Sequence, residues 1–363
     1  MSTFDPNASA RPDSGLFGLD DSVDSARVVI IPMPFDATTS YHHGAARGPA
    51  AILRASHQVD LYDVDTGRPY AAGIHMLPLP PSVQAWNATA SRDAQTATDG
   101  EGGGVGAEEL AVAARLAVND SSRAVERYLA HRTRELLSAG KLVGTLGGDH
   151  SVPLGAIVEH VARYPDLGIL HIDAHADLRQ AYQGFEQSHA SIMWNVLLRC
   201  PHLRRLVQVG IRDLCEEEAD RIAGSGGQIR TFFDSELQAE KHAGKPWVEL
   251  CQRIAAELPQ EVYISFDIDG LDPTLCPHTG TPVPGGLSFA EMVTLLRTVV
   301  GSGRRIVGFD LTEVAPRHTG KHGDDSDWDE NVGARVLYKL IGFALMSQPA
   351  SDSAGKAEGR TGA

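Results

Sequence analysis

Leu170-His171-Ile172-Asp173-Ala174-His175-Ala176-Asp177 is the stretch whose reading decides the fold. An apolar run over residues 167–172 breaks there into Asp173, His175 and Asp177. Side chains of an extended strand alternate between faces, so ligand-type residues two apart point the same way. Two carboxylates and an imidazole converging at a strand end have the chemistry of a divalent-metal site. Two other stretches repeat the device. Residues 143–151 read as a strand running into Gly-Gly-Asp-His-Ser, which places His150 at its end. Residues 261–273 hold Val-Tyr-Ile-Ser-Phe followed by Asp267, Asp269 and Asp272-Pro273. Together His150, Asp173, His175, Asp177, Asp267 and Asp269 exceed what one tetrahedral zinc takes. They suit two six-coordinate ions that share bridging carboxylates and a water. A lone Asp-x-Asp at a strand end is ordinarily a helix cap, but capping does not explain three such ends, each after a buried-type run.

Outward from these motifs, strand-like apolar runs alternate with helical ones along most of the 363 residues. The pattern predicts an α/β fold of three layers, α-β-α, with a central and mainly parallel sheet of about eight strands. Ligands at the carboxyl ends of the strands agree with the crevice rule for open α/β sheets. A single domain is expected over residues 25–346, because no Pro/Gly/Ser linker divides it. Residues 1–24 and 347–363 are rich in small and polar side chains and are expected to be mobile tails. Residues 80–119 read as a polar, partly disordered insertion with a short helix over 108–118. Asn119-Asp120-Ser121 then reads as the cap of a separate helix reaching Ser138. Ser288 is expected to cap the helix that follows it.

The formal charge of −15 argues against nucleic acid and anionic membranes as partners, and steers cations toward the chain. No apolar run reaches the length of a membrane span. The first residues lack the basic and apolar regions of a secretory signal. The four cysteines are scattered without a C-x-x-C pair, as in a reduced, cytoplasmic protein, which is the expected location.

Gly-Gly-Asp-His-Ser, Asp-Ala-His-Ala-Asp and Ser-Phe-Asp-Ile-Asp-Gly-Leu-Asp-Pro resemble the three signatures of the ureohydrolases, the family of arginase and agmatinase. The resemblance covers about residues 28–345. It implies that His150, Asp173, Asp177 and Asp267 bind one ion, and that Asp173, His175, Asp267 and Asp269 bind the other. Asp173 and Asp267 would bridge. Two dications with four carboxylates and a hydroxide leave such a site net negative, which suits a cation. The resemblance further implies a salt bridge from Glu313, in Asp-Leu-Thr-Glu-Val, to a substrate guanidinium, whose planar face a carboxylate matches bidentately. His189 aligns with the family's proton-shuttling loop histidine, although Ala190 stands where glycine is usual. Hydroxide would attack the guanidinium carbon, Asp177 would relay the proton, and urea would be released as an amine or ammonia leaves. Thr281 and His43 are further candidates for substrate contact, and Tyr182, Phe185 and Trp247 for narrowing the pocket.

Departures from the arginase and agmatinase patterns, such as Val283 in place of a glutamate, make the chain most similar to the branch that includes guanidine hydrolases. That likeness favours guanidine, or a small substituted guanidine or biguanide, with nickel as the metal and manganese as the alternative. Agmatinase or guanidinobutyrase activity is the nearest other enzyme. A non-catalytic partner subunit of a hetero-oligomer is the reading of another class. By the same resemblance the assembly is a homo-hexamer or trimer, or a hetero-oligomer with a related subunit.

Overall fold

A computed structural model describes residues 5–99, 106–316 and 327–349. Its frame is one sheet of eight strands in the order β2-β1-β3-β8-β7-β4-β5-β6. The strands are β1 (Val28–Met33), β2 (Ile74–Met76), β3 (Leu142–Gly147), β4 (Gly168–Ile172), β5 (Arg205–Ile211), β6 (Ile229–Phe233), β7 (Glu261–Asp267) and β8 (Arg305–Thr312). Every neighbouring pair is parallel. Parallel strands need crossovers, and the crossovers carry helices that cover both faces. Hence most of these strands are mainly apolar and buried on both faces rather than alternating.

Parity still sorts the side chains. Val28 and Ile30 of β1 join the core under α1 (Gly48–Ala55), α8 (Trp247–Glu257), α9 (Phe289–Gly301) and α10 (Trp328–Met346). Val29, Ile31 and Met33 point the other way, into a core closed by α2 (Pro81–Asp99) and α3 (Ala107–Ser138). Further along that second face, Ile169, Leu206 and Tyr263 pack under α4 (Leu154–Arg163) and α5 (Ile192–Arg199). Short helices α6 (Glu216–Gly224) and α7 (Asp234–His242) finish the β6 end; the sequence reading had no helix at 234–242. The cap of α9 is as expected: Ser288 Oγ accepts from Glu291 N, and the Glu291 carboxylate accepts from Ser288 N.

Three expectations are corrected. Residues 80–119 are not a loosely ordered insertion with a short helix. Within the described residues they form α2 and the first part of α3, packed as a helical hairpin, while residues 100–105 lie outside the description. Asn119-Asp120-Ser121 caps nothing, because α3 runs through it unbroken. Asn119 is buried and spends its amide on a loop: Oδ1 accepts from Glu186 N at 2.9 Å. A residue type favoured at caps is used here for a tertiary contact. Nor is residues 16–19 part of a loose tail. Leu16, Phe17 and Leu19 are buried, and the Phe17 ring lies 4.6 Å from that of Tyr338 on α10. At the other end Ser347 Oγ accepts from Ile306 N, and residues 350–363 lie outside the description.

Candidate metal centre and active site

The site forms where β3, β4, β7 and β8 stop. After β3 the chain turns sharply through Gly148, where a methyl group would overlap the carbonyl of Phe35. The next residue, Asp149, is fully buried and accepts from the backbone and hydroxyl of both Thr38 and Ser151. This carboxylate ties the loop after β1 to the loop after β3 and sets the direction of His150. From β4 the strand parity carries Asp173 onto the same side, and His175 and Asp177 follow in an irregular turn. Asp177 has φ 54° and Glu313 φ 62°, in the left-handed region that side chains avoid. Strain of this kind persists where the surroundings over-determine it, as they do at functional sites.

All six ligand candidates meet. His150 Nδ1 lies 2.9 Å from Asp173, 3.1 Å from Asp177 and 3.3 Å from Asp267. His175 Nδ1 lies 3.1 Å from Asp269 and 3.5 Å from Asp173. Despite its close neighbours, the buried Nδ1 of His150 has no hydrogen-bond partner. Oxygens and a nitrogen that crowd one point without bonding each other are arranged as ligands of a common cation. Among the described residues two groups could hold a metal ion: His150, His171, Asp173 and Asp177, and Asp173, His175 and Asp269, with ligand atoms in each within 4.8 Å of one another. Asp173 belongs to both, as a bridging ligand would. His171 is a member that the sequence reading passed over, although it stands two residues before Asp173 on the same face.

Electrostatics point to the same need. Burial, reinforced by Asp269 and Asp173, pushes Asp267 well above the usual carboxylate range. Burial and then Asp173 push Asp177 up to about 7. Glu313 is also held well above its ordinary value, by burial and then by Asp267 and Asp149. Carboxylates packed this tightly stay ionised only beside compensating positive charge. The residues present therefore fit a pair of divalent cations and, next to them, a cationic ligand.

Glu313 sits against this cluster. Its Oε1 accepts from His150 N at 2.8 Å, and its Oε2 is buried without a partner. A cavity of about 370 Å³ opens from His175 and Asp177 to the surface, lined further by Ser40, Tyr41, Tyr182 and His189. Thr281 lines it too, with Oγ1 3.5 Å from Asp269. His189 is buried, and burial followed by the nearby His175 lowers it to about 4, so its ring is neutral at pH 7. Its Nε2 is 3.3 Å from Ser40 Oγ, its Nδ1 has no partner, and Thr38 Oγ1 accepts from its backbone N–H.

Other expectations are not met here. His43 lines a neighbouring cavity beside α2, not the one that reaches the metal cluster. Asp36 explains this: its carboxylate accepts from Gly44 N, Ala46 N and Asn87 Nδ2 of α2, and its backbone N–H donates to Asn87 Oδ1, which turns that segment toward the hairpin. Of the three aromatics, only Tyr182 faces the cavity. Phe185 is buried in the α2/α3 core, and Trp247 donates its indole N–H to Glu291 O on the far face. Ser40 and Tyr41 were missed, since nothing in a loop sequence says which of its residues turn inward.

The arginase family model matches residues 26–342, nearly the whole described chain. The chain belongs to the arginase family. It is 35% identical to the N(1)-aminopropylagmatine ureohydrolase of Thermus thermophilus, over 90% of this chain and 94% of that protein. To the agmatinase of Bacillus cereus it is 30% identical, over 88% and 92%. Among solved structures, the agmatine ureohydrolase of Thermoplasma volcanium superposes with a TM-score of 0.67 at 22% identity, covering 90% and 92% of the two chains. The proclavaminate amidinohydrolase of Streptomyces clavuligerus gives 0.65 at 22%, covering 94% and 97%. These superpositions show the arginase-like α/β fold. As an arginase-family ureohydrolase with agmatinase-type relatives, the chain is a hydrolase acting on C–N bonds of amidino groups. Among the described residues no helix is long and apolar enough to cross a membrane.

Proposed function

We propose that this protein hydrolyses the guanidino group of a cationic alkylguanidine of the agmatine type, releasing urea and an amine. The observation that carries the reading is the buried, unpartnered Oε2 of Glu313 beside the cluster of His150, Asp173, His175, Asp177, Asp267 and Asp269. An ionised carboxylate fixed by one oxygen, with the other free, is a receptor for a guanidinium N–H. His150, Asp173, Asp177 and Asp267 would hold one divalent ion, and Asp173, His175, Asp267 and Asp269 the other. Two such ions supply a water whose pKa is brought toward neutrality.

The chain's own residues do the rest. Glu313 holds the guanidinium carbon next to the ion-binding carboxylates, against a cost that only a bound cation offsets. Asp177, beside His150 at 3.1 Å and on the cavity wall, would take up the proton that the attacking water loses. Neutral His189 stands at the inner mouth, where its two ring nitrogens let it take a proton from solvent by way of Ser40 on one side as it gives one to the leaving amine on the other. Tyr182 lies edge-on to His189 at 5.8 Å and narrows the entrance.

Substrate size separates this reading from that of free guanidine. The cavity extends from the cluster to Leu214 and Asp213, far more room than a bare guanidinium fills. Asp213 at the rim offers a carboxylate to a distal ammonium. The similar proteins carry the names of agmatine, aminopropylagmatine and proclavaminate hydrolases. Purified protein, loaded separately with nickel and with manganese, should release urea from agmatine or a longer amine-bearing alkylguanidine. Turnover of guanidine or a dimethylbiguanide in preference would return the assignment to the small guanidines. No urea from any of them, with two ions bound per chain, would favour a partner subunit. Sedimentation of the same preparations tests the expected trimer or hexamer.

A further inference from the structure

One layer below the metal cluster a polar row crosses the sheet. Strand register aligns Thr145 with Asp310, Asp310 with Ser265, Ser265 with His171, His171 with Gln208, and Gln208 with Thr231. The row spans β3, β8, β7, β4, β5 and β6, and every member is buried. The interior of a doubly covered parallel sheet is where unpaired polar side chains cost most, and five of the six members are hydrogen-bonded along the row, whereas Thr145 Oγ1 has no partner.

The bonds have a direction. On one side, Gln208 Nε2 lies 2.7 Å from the carbonyl of Ala176 and 3.0 Å from His171 Nδ1. Its Oε1 accepts from the Thr231 hydroxyl at 2.9 Å. A carbonyl can only accept, so the Gln208 amide must present its nitrogen to Ala176, and that same nitrogen donates to His171 Nδ1. The proton of the neutral His171 ring is then on Nε2, 2.7 Å from Asp173 Oδ2. On the other side, the Ser265 hydroxyl donates to Asp310 Oδ1 at 3.1 Å and so accepts from His150 Nε2 at 3.0 Å. The His150 proton is held there, and Nδ1 is left bare toward Asp173, Asp177 and Asp267.

We propose that this row sorts the two buried histidines: Ser265 and Asp310 make His150 present a lone pair, as a metal ligand must, whereas Gln208 and Thr231 make His171 present a proton that orients the bridging carboxylate of Asp173. His171 is thereby a positioning residue and not a ligand, although its ring nitrogen lies close enough to be one. The proposal rests on the metal-site reading above. It concerns which residues hold the ions and not what the enzyme cleaves.

The test measures metal binding directly. Metal-free parent protein and its Gln208→Leu, Ser265→Ala, His171→Leu and His171→Gln variants are titrated with cobalt(II). The visible absorption band reports the ligand set, and a competing chelator reports affinity. The His171→Gln side chain places an N–H near the position of Nε2, so it restores the donor without a ring. Loss of a partner behind a ligand typically weakens metal affinity by about 10- to 100-fold. That loss is expected for Gln208→Leu, Ser265→Ala and His171→Leu, while His171→Gln stays near the parent with an unchanged band. Equal loss in His171→Gln and His171→Leu with an altered band would make His171 a ligand and overturn the proposal. Parental affinity in all four would reduce the row to a packing feature. Were His171→Leu not to fold, Gln208→Leu against His171→Gln still decides. A parent protein that binds no cobalt would overturn the metal-site reading, and the proposal with it.

Discussion

Replacing Glu313 by glutamine isolates the group that distinguishes a guanidinium receptor from a bare metal site. The substitution is isosteric. The side-chain oxygen that accepts from His150 N at 2.8 Å can stay in place, so the turn that aims His150 is kept. What changes is the other arm: the buried, unpartnered Oε2 becomes an NH2 group, which cannot accept from a guanidinium and carries no charge. The magnitude follows from burial. Glu313 is 3% exposed, so screening by solvent is slight. Removing one partner of a buried ion pair costs about 3–5 kcal/mol. At about 1.4 kcal/mol per factor of ten, kcat/KM should fall by about two to four powers of ten. Because the planar cation is bound before and during reaction, part of the loss should appear as a raised KM. The assay is urea release from agmatine or the best alkylguanidine, with metal content measured on the same sample. A Glu313→Gln protein that keeps two ions per chain and retains kcat/KM within about threefold of the parent would refute the receptor argument.

Three other outcomes are expected. His189→Asn should lower kcat by about 10²- to 10⁴-fold, the usual range for a proton-transfer group, with metal content unchanged; a normal kcat would remove His189 from the chemistry. His160, buried on α4 and lowered to about 4 by that burial, should make stability pH-dependent away from the site. Its folded pKa lies below the unfolded value of about 6.5, so the unfolded chain binds the extra proton and stability is lost as pH falls between those two values. The loss is about 3 kcal/mol, and denaturant titrations of His160→Leu should lack that part of the slope; an unchanged slope would show that the ring protonates without unfolding. Gly308 lies directly under that ring, where a methyl group would overlap His160 Nε2. Gly308→Ala should destabilise the fold by about 1–3 kcal/mol in the same titrations, and a neutral effect would mean that α4 shifts freely.

The metal-ligand candidates were legible because the signal is local. Strand parity places Asp173 on one face, and a short turn keeps His175 and Asp177 beside it, so spacing along the chain stands in for spacing in the fold. The same locality made the strands legible, most of them as mainly apolar runs between turns. Where a residue's use is non-local, its type misled. Asn119 and its neighbours have the composition of a helix cap, yet α3 passes through them because Asn119 bonds the loop at Glu186 across the structure. His43 resembled a pocket residue by its position in the loop after β1, but the Asp36–Asn87 pair turns that segment toward α2.

By itself, then, the chain's sequence determined the fold class, the strand ends and the candidate residues for ion binding, since alternation and apolar run length are properties of neighbours. Tertiary structure decided the strand order, the cavity formed between the segments after β1, β4, β5 and β7, and the role of His171. That role depends on Gln208 of β5 and Thr231 of β6, which come 37 and 60 residues later in the chain and meet His171 only through strand register. A hydrogen bond carries no trace along the backbone of the partner that will complete it, so which ring nitrogen bears the proton is settled only when the sheet has closed.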